Sequence, residues 1–261
     1  MDRVGLEAVR PSDQVEAADW IRERLHGFAV DVGSVVPQGF DAYARVFHPA
    51  LRPGWSPADP DDGEVRWSEV AASTGRIVHP EMQFHGIAAP TPGREGVRAV
   101  WSGEPRLGVL SRHQAATLIP LLAAHTSTPE RCWFCLWEGY GYLTGAIAPL
   151  VRTFWKEGEP RTPPAAAPPR PRLQLSRVRL PGRDYLLFTG SAGQAEGWED
   201  GPNLWWPDDR AWCVASEIDF PYSYVGGTRE LVDQILASAL LEALPATVHD
   251  GIRADSDRLN S

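Results

Sequence analysis

The spacing of apolar positions changes several times along the chain, and each change predicts a different element. In PSDQVEAADWIRERL, residues 11–25, Val15, Ala18, Ile21 and Leu25 recur at helical spacing, with Ser12 or Asp13 in place to cap. SRHQAATLIPLLAAHTSTPE predicts a second helix, capped by Ser111 and carrying Ala115, Leu118, Ile119 and Leu122 on one side. Pro120 falls inside it. A proline in a helix interior costs ~3 kcal/mol, so a kink or a new helix start is expected there. The last helix is RELVDQILASALLEA, with Thr228 as cap and Leu231, Ile235, Leu236 and Ala239 facing inward.

Elsewhere the apolar positions alternate. In RCWFCLWEGYG, residues 131–141, a strand sends Cys132, Phe134 and Leu136 one way and Trp133, Cys135 and Trp137 the other. RLQLSRVRL and DYLLFTG, joined by the turn PGR, read as two strands; RAWCVASEIDF, YSYVGG and LPATV add further ones. GSVVPQGFDAYARVFHP satisfies both periods. Phe40, Tyr43 and Phe47 fit a helix face, while Tyr43, Arg45 and Phe47 alternate with Ala44 and Val46 as in a strand. Residues 52–105 are rich in Pro, Gly and Asp and read as an irregular excursion holding short ordered pieces such as RWSEVAAST. The proline-rich run at 157–171 reads as a surface loop of polyproline character. The expectation is a single α+β domain over residues 1–261, with a mainly antiparallel or mixed sheet and helices packed on one face.

Composition narrows the setting. The 261 residues are 43% hydrophobic and 23% charged, the balance of a globular chain. No run approaches the ~20 apolar residues a membrane span needs, and the first residues lack the apolar core of a secretory signal. A cytoplasmic protein with no membrane partner is expected. The net charge of −9 points away from nucleic acid, whose phosphates call for clustered basic residues. Lys156 is the one lysine among 25 basic residues, so arginine dominates, and 11 tryptophans are available for it to stack on.

Two segments carry candidate chemistry. Cys132 and Cys135 have redox or zinc spacing, and Cys213 with His125 would complete four ligands on paper. The LWEGYG that follows opposes a helix start, and strand geometry puts the two thiols on opposite faces, so no metal and no cofactor are expected. In PNLWWPDDRAWCVASEID, residues 202–219, Trp205, Trp206 and Trp212 flank the turn Asp208, Asp209 and Arg210. The segment is either a corner of the core or a recognition surface, since Trp and Arg dominate interface hot spots. Trp137, Glu138 and Tyr140 would join such a surface. Adjacent carboxylates diverge in extended chain and make a poor acid–base couple. His79 and His85, with Glu81 between them, match no metal spacing; His48 and His125 stand alone; VGGT before the last helix is explained by a tight turn. These observations favour a non-enzymatic protein-binding module with another protein as partner, using an acidic tryptophan-rich surface. The rival is a small-molecule-binding protein or hydrolase with a pocket walled by the same tryptophans.

At GSVVPQGFDAYARVFHPA, CWFCLWEGYG and NLWWPDDRAWCVASEID with the later YVGG, the chain resembles hypothetical proteins of high-GC bacteria, a resemblance that implies no catalytic residues. Pro37, Phe40, Tyr43 and Phe47, with a later aromatic strand and acidic charge, are also similar to the SUKH-type immunity proteins. That resemblance implies an α+β fold and the neutralising of a toxin domain. Phe47-His48-Pro49 stands where those proteins usually carry an Asn-Gly turn.

Overall fold

A computed structural model describes residues 9–54, 63–94, 96, 98–140, 175–196, 198 and 200–260. The chain enters through β1 (Arg10–Pro11) and a 3₁₀ turn at Val15–Ala18 that runs into α1 (Asp19–Arg24). β2 (Ala42–Phe47), β3 (Ala50–Leu51) and β4 (Glu64–Val65) come next, then α2 (Trp67–Thr74), α3 (Phe84–Ala88) and α4 (Arg112–Ala124). β5 (Cys132–Trp137), β6 (Arg177–Leu180), β7 (Arg183–Gly190), β8 (Leu204–Pro207), β9 (Cys213–Ala215) and β10 (Tyr222–Gly227) lead to α5 (Arg229–Ala237) and β11 (Ala243–Ala246).

One sheet runs β1-β7-β5-β8-β9-β10-β2-β11, with β6 also on β7, and β3 and β4 pair separately. Every ladder among the described residues is antiparallel. The β6–β7 connection carries the type II signature, Pro181 followed by Gly182 at φ +76. The α+β class and the antiparallel sheet are therefore as expected. The helices, however, cover both faces rather than one. On one face Trp20 and Ile21 of α1, Trp67 and Val70 of α2 and Phe84 and Ile87 of α3 pack with Tyr43, Phe47, Cys135, Trp206 and Tyr222. On the other, Leu118 and Leu122 of α4 and Leu231 and Ile235 of α5 pack with Val46, Phe134, Trp205, Val214 and Val225. Alternation along the central strands feeds both layers, which is why β2 and β10 are buried throughout.

Several local expectations change. The two-way segment at 38–48 is strand β2, so the helical spacing of Phe40, Tyr43 and Phe47 is not realised as a helix. α4 runs unbroken through Pro120, which sits on its exposed side and removes a single N–H. α5 stops at Ala237, and Val232 takes the buried place assigned to Leu236 and Ala239. The excursion at 52–105 supplies α2 and α3 to one core layer. The run at 157–171 lies outside the described residues. Among those residues no helix is long and apolar enough to cross a membrane.

Candidate ligand-binding site

The tryptophan segment is divided by the sheet. Trp205 and Trp206 are neighbours on β8, so they face opposite layers. Trp205 meets Trp212 edge-on with centroids 5.0 Å apart and stacks near Phe134, while Trp206 meets Trp20 on the other side. All three tryptophans of the segment are buried, and Trp212 Nε1 donates to the Leu122 carbonyl at the end of α4. The expected tryptophan-bearing surface is corrected accordingly: these rings fill the core because each strand here has a helical layer on both sides.

The polar turn between them has internal work. Asp208 accepts from Trp133 Nε1 at 3.0 Å and pairs with Arg131. Asp209 accepts from Thr126 Oγ1, from the Ser127 N–H and hydroxyl, and from the Ala211 N–H. Partial burial alone would raise the Asp209 carboxyl, but those hydrogen bonds outweigh it and hold its pKa below the ordinary value. The turn thus fastens the β8–β9 connection to the loop after α4. Glu138 pairs with Arg177, and Tyr140 donates to the Asp200 carbonyl. Burial pushes the Tyr140 hydroxyl up to about 12.

Cys132 and Cys135 lie on opposite faces of β5, as strand alternation requires. Burial pushes the Cys132 thiol up to about 12, with Asp209, Glu130 and Asp208 adding to it, and raises Cys135 and Cys213 as well. A thiol held neutral is a poor nucleophile and a poor metal ligand. Among the described residues no three His, Cys, Asp or Glu side chains converge. His79 does meet a carboxylate, at 2.7 Å from Asp257, but Asp257 also accepts from the Gln83 and Asn260 N–H groups. The pair anchors the C-terminal segment on α3. His85 is exposed.

A feature with room for a ligand lies on the α4 side. A cavity of about 230 Å³ is bounded by Arg112, Ala115 and Ile119 of α4 and by Arg106, Val109 and Leu110 from the segment leading into it. Ala195, Trp198, Gly201 and Pro202 form the facing wall, and Trp205 and Ser216 rise from the sheet. Local sequence sets this geometry. Ser111 accepts from the Gln114 N–H and Gln114 Oε1 accepts from the Ser111 N–H, a reciprocal cap that starts α4. The Gln114 amide also donates to the Phe47 carbonyl at 2.6 Å, tying the helix start to the end of β2. Trp198 Nε1 donates to the Gln194 carbonyl, which fixes the ring against Phe134 and Phe188.

Below the cavity runs a row of buried polar side chains. His48 Nδ1 is 2.8 Å from the Arg106 carbonyl, His48 Nε2 is 2.8 Å from Ser223 Oγ, and Ser223 Oγ is 2.5 Å from Ser216 Oγ. All three residues are at most 1% exposed. Burial lowers the His48 pKa to about 4, against the Arg106 carbonyl, which raises it. Sequence reasoning set His48 aside as a lone histidine and did not single out Ser216 or Ser223. Of the expected binding residues, the structure brings Trp205 to this cavity; Trp206, Asp208, Asp209, Arg210, Trp212, Trp137, Glu138 and Tyr140 do not line it. Compared with known proteins, the chain matches no family model, no curated protein and no solved structure.

Proposed function

We propose that this is a small-molecule-binding protein whose ligand is a small, mainly flat and apolar molecule carrying one negative group. The observation that supports it is the 230 Å³ cavity beneath α4, where Trp198 and Trp205 supply ring surface and Arg106 and Arg112 supply positive charge. Ligand sites combine apolar walls with a few placed polar groups in this way. Typical sites measure about 300–1,000 Å³, so this one suits a ligand of about one ring. No carboxylate is among the described residues lining it, and the charged side chains among them are the two guanidinium groups, which attract an anion despite the net charge of −9. The protein-binding alternative retains the exposed edge of the Asp208–Asp209–Arg210 turn, whose carboxylates are already engaged within the chain.

Ligand-observed NMR with benzoate and its small relatives tests the reading. Ala115→Phe and Ala195→Phe each place a ring in the cavity from opposite walls, and either one is expected to abolish the signals while far-ultraviolet circular dichroism stays native. Asp209→Ala is expected to leave binding unchanged. Signals that persist in both Phe variants, or no binding by any member of the series, overturn the assignment.

A further inference from the structure

The polar row beneath the cavity says which ligand the cavity takes, an inference that rests on the binding reading above. Hydrogen-bond direction along the row is set from one end. The Arg106 carbonyl oxygen accepts only, so a neutral His48 carries its proton on Nδ1 and leaves Nε2 as an acceptor. Ser223 gives its single proton to Nε2. Ser216, 2.5 Å from Ser223 Oγ, must then donate to that oxygen in turn. Of the three residues, Ser216, one position past β9, is the one that lines the cavity, together with Trp205. Its proton is committed below, and its Oγ offers lone pairs. The burial that keeps His48 neutral near pH 7 maintains this direction. The other polar side chains among the described lining residues are donors: two guanidinium groups and the indole N–H groups, of which Trp198 Nε1 is already engaged.

We propose that the cavity selects a single-ring aromatic carboxylate that also bears a hydroxyl or amino group. The carboxylate lies toward Arg106 and Arg112, the ring lies against Trp198 and Trp205, and the O–H or N–H donates to Ser216 Oγ. Ser216 is the binding residue; Ser223 and His48 are positioning residues that hold its proton away from the ligand. A ligand without the donor leaves a buried acceptor unpaired, a loss of about tenfold in affinity.

The test is calorimetric titration of the full chain with 3- and 4-hydroxybenzoate, the two matching methoxybenzoates and benzoate. At least one hydroxybenzoate is expected to bind about tenfold more tightly than both benzoate and its methoxy partner. In Ser216→Ala that preference falls below about threefold. In Ser223→Ala, where Ser216 regains a free proton, the matching methoxybenzoate gains relative to the hydroxy compound. Equal binding of all five, or a preference that survives in Ser216→Ala, overturns the donor requirement and leaves the cavity assignment standing. Failure of every compound to bind overturns both.

Discussion

The two faces of the sheet treat buried polar groups in opposite ways. On the α4 side, His48, Ser223 and Ser216 are neutral and joined in series, and the row ends at a cavity. On the α2 side, Arg45 is a buried cation whose Nη1 donates to the Pro80 carbonyl, while its Nε and Nη2 have no hydrogen-bond partner among the described residues. Its guanidinium carbon lies 3.6 Å from the Tyr222 ring centroid and 4.9 Å from that of Phe47. One face passes a hydrogen-bond preference to an open space; the other stores a charge among rings. Both arrangements sit on neighbouring strands, since Arg45 is opposite Tyr224 and Val46 opposite Ser223 on β10. A single residue of register thus decides which layer a polar side chain enters.

The largest effect expected from breaking this comparison comes through His48. Its folded pKa, about 4, lies below the ordinary 6.5. Unfolded chains therefore bind a proton between those values that folded chains refuse, and stability falls as pH falls through that window. At about 1.4 kcal/mol per pKa unit the full loss is ~3 kcal/mol, most of it reached by pH 4.5. Denaturant unfolding at pH 7 and pH 4.5 checks it. His48→Gln is expected to start less stable and to lose ~2–3 kcal/mol less than the native chain between the two pH values. An equal acid loss in both would place the proton uptake elsewhere.

Legibility from sequence followed the range of the signal. β5, β7 and β10, together with the caps Ser111 and Thr228, rest on neighbours within a few residues, and each was readable. The segment holding Phe40, Tyr43 and Phe47 was not, because Tyr43 and Phe47 satisfy both periods and pairing with β10 and β11 chooses between them. The opposite facing of Trp205 and Trp206 was available from the argument applied to the cysteines, once LWWP is recognised as a strand. The cavity was out of reach. His48 and Ser223 stand 175 residues apart, and nothing local to either marks them as partners. Isolated serines and a histidine before a proline look like turn chemistry until the sheet order is known.

Arg45 gives the next effect in size. Taking a guanidinium out of water costs more than one carbonyl and two ring faces return, and buried charges replaced by apolar side chains of similar length often gain stability. Arg45→Met is expected to raise the unfolding free energy by ~1–2 kcal/mol, read as a higher denaturant midpoint at unchanged slope. A loss of more than ~1 kcal/mol would show that ring contacts match the charge, and the two faces would differ less than their hydrogen bonds suggest. Affinity at the α4-side cavity is expected to stay the same, since the sheet separates it from Arg45.

The smallest effect lies at the turn that sequence reasoning favoured as a surface. Arg210 has φ +59, a left-handed conformation that an L side chain holds at a cost and glycine holds without one. Its guanidinium carbon sits 5.7 Å from the Trp20 ring, an exposed contact of ~0.5–1 kcal/mol. Glycine relieves the strain of ~1–2 kcal/mol that a Cβ brings to this region. It gives back part of that by freeing the unfolded chain and part by losing the ring contact. Arg210→Gly is therefore expected to stabilise by ~0.5 kcal/mol at most, measured against Arg210→Ala, which keeps the strain and loses the contact. The difference between the two variants isolates the backbone, and the deficit of Arg210→Ala against the native chain isolates the cation. Trp20 packs on Trp206 in the α2-side layer, so neither change should alter benzoate-series affinities. A shift in those affinities would mean that the turn and the cavity communicate through the sheet, and that the acidic turn belongs to the same functional unit.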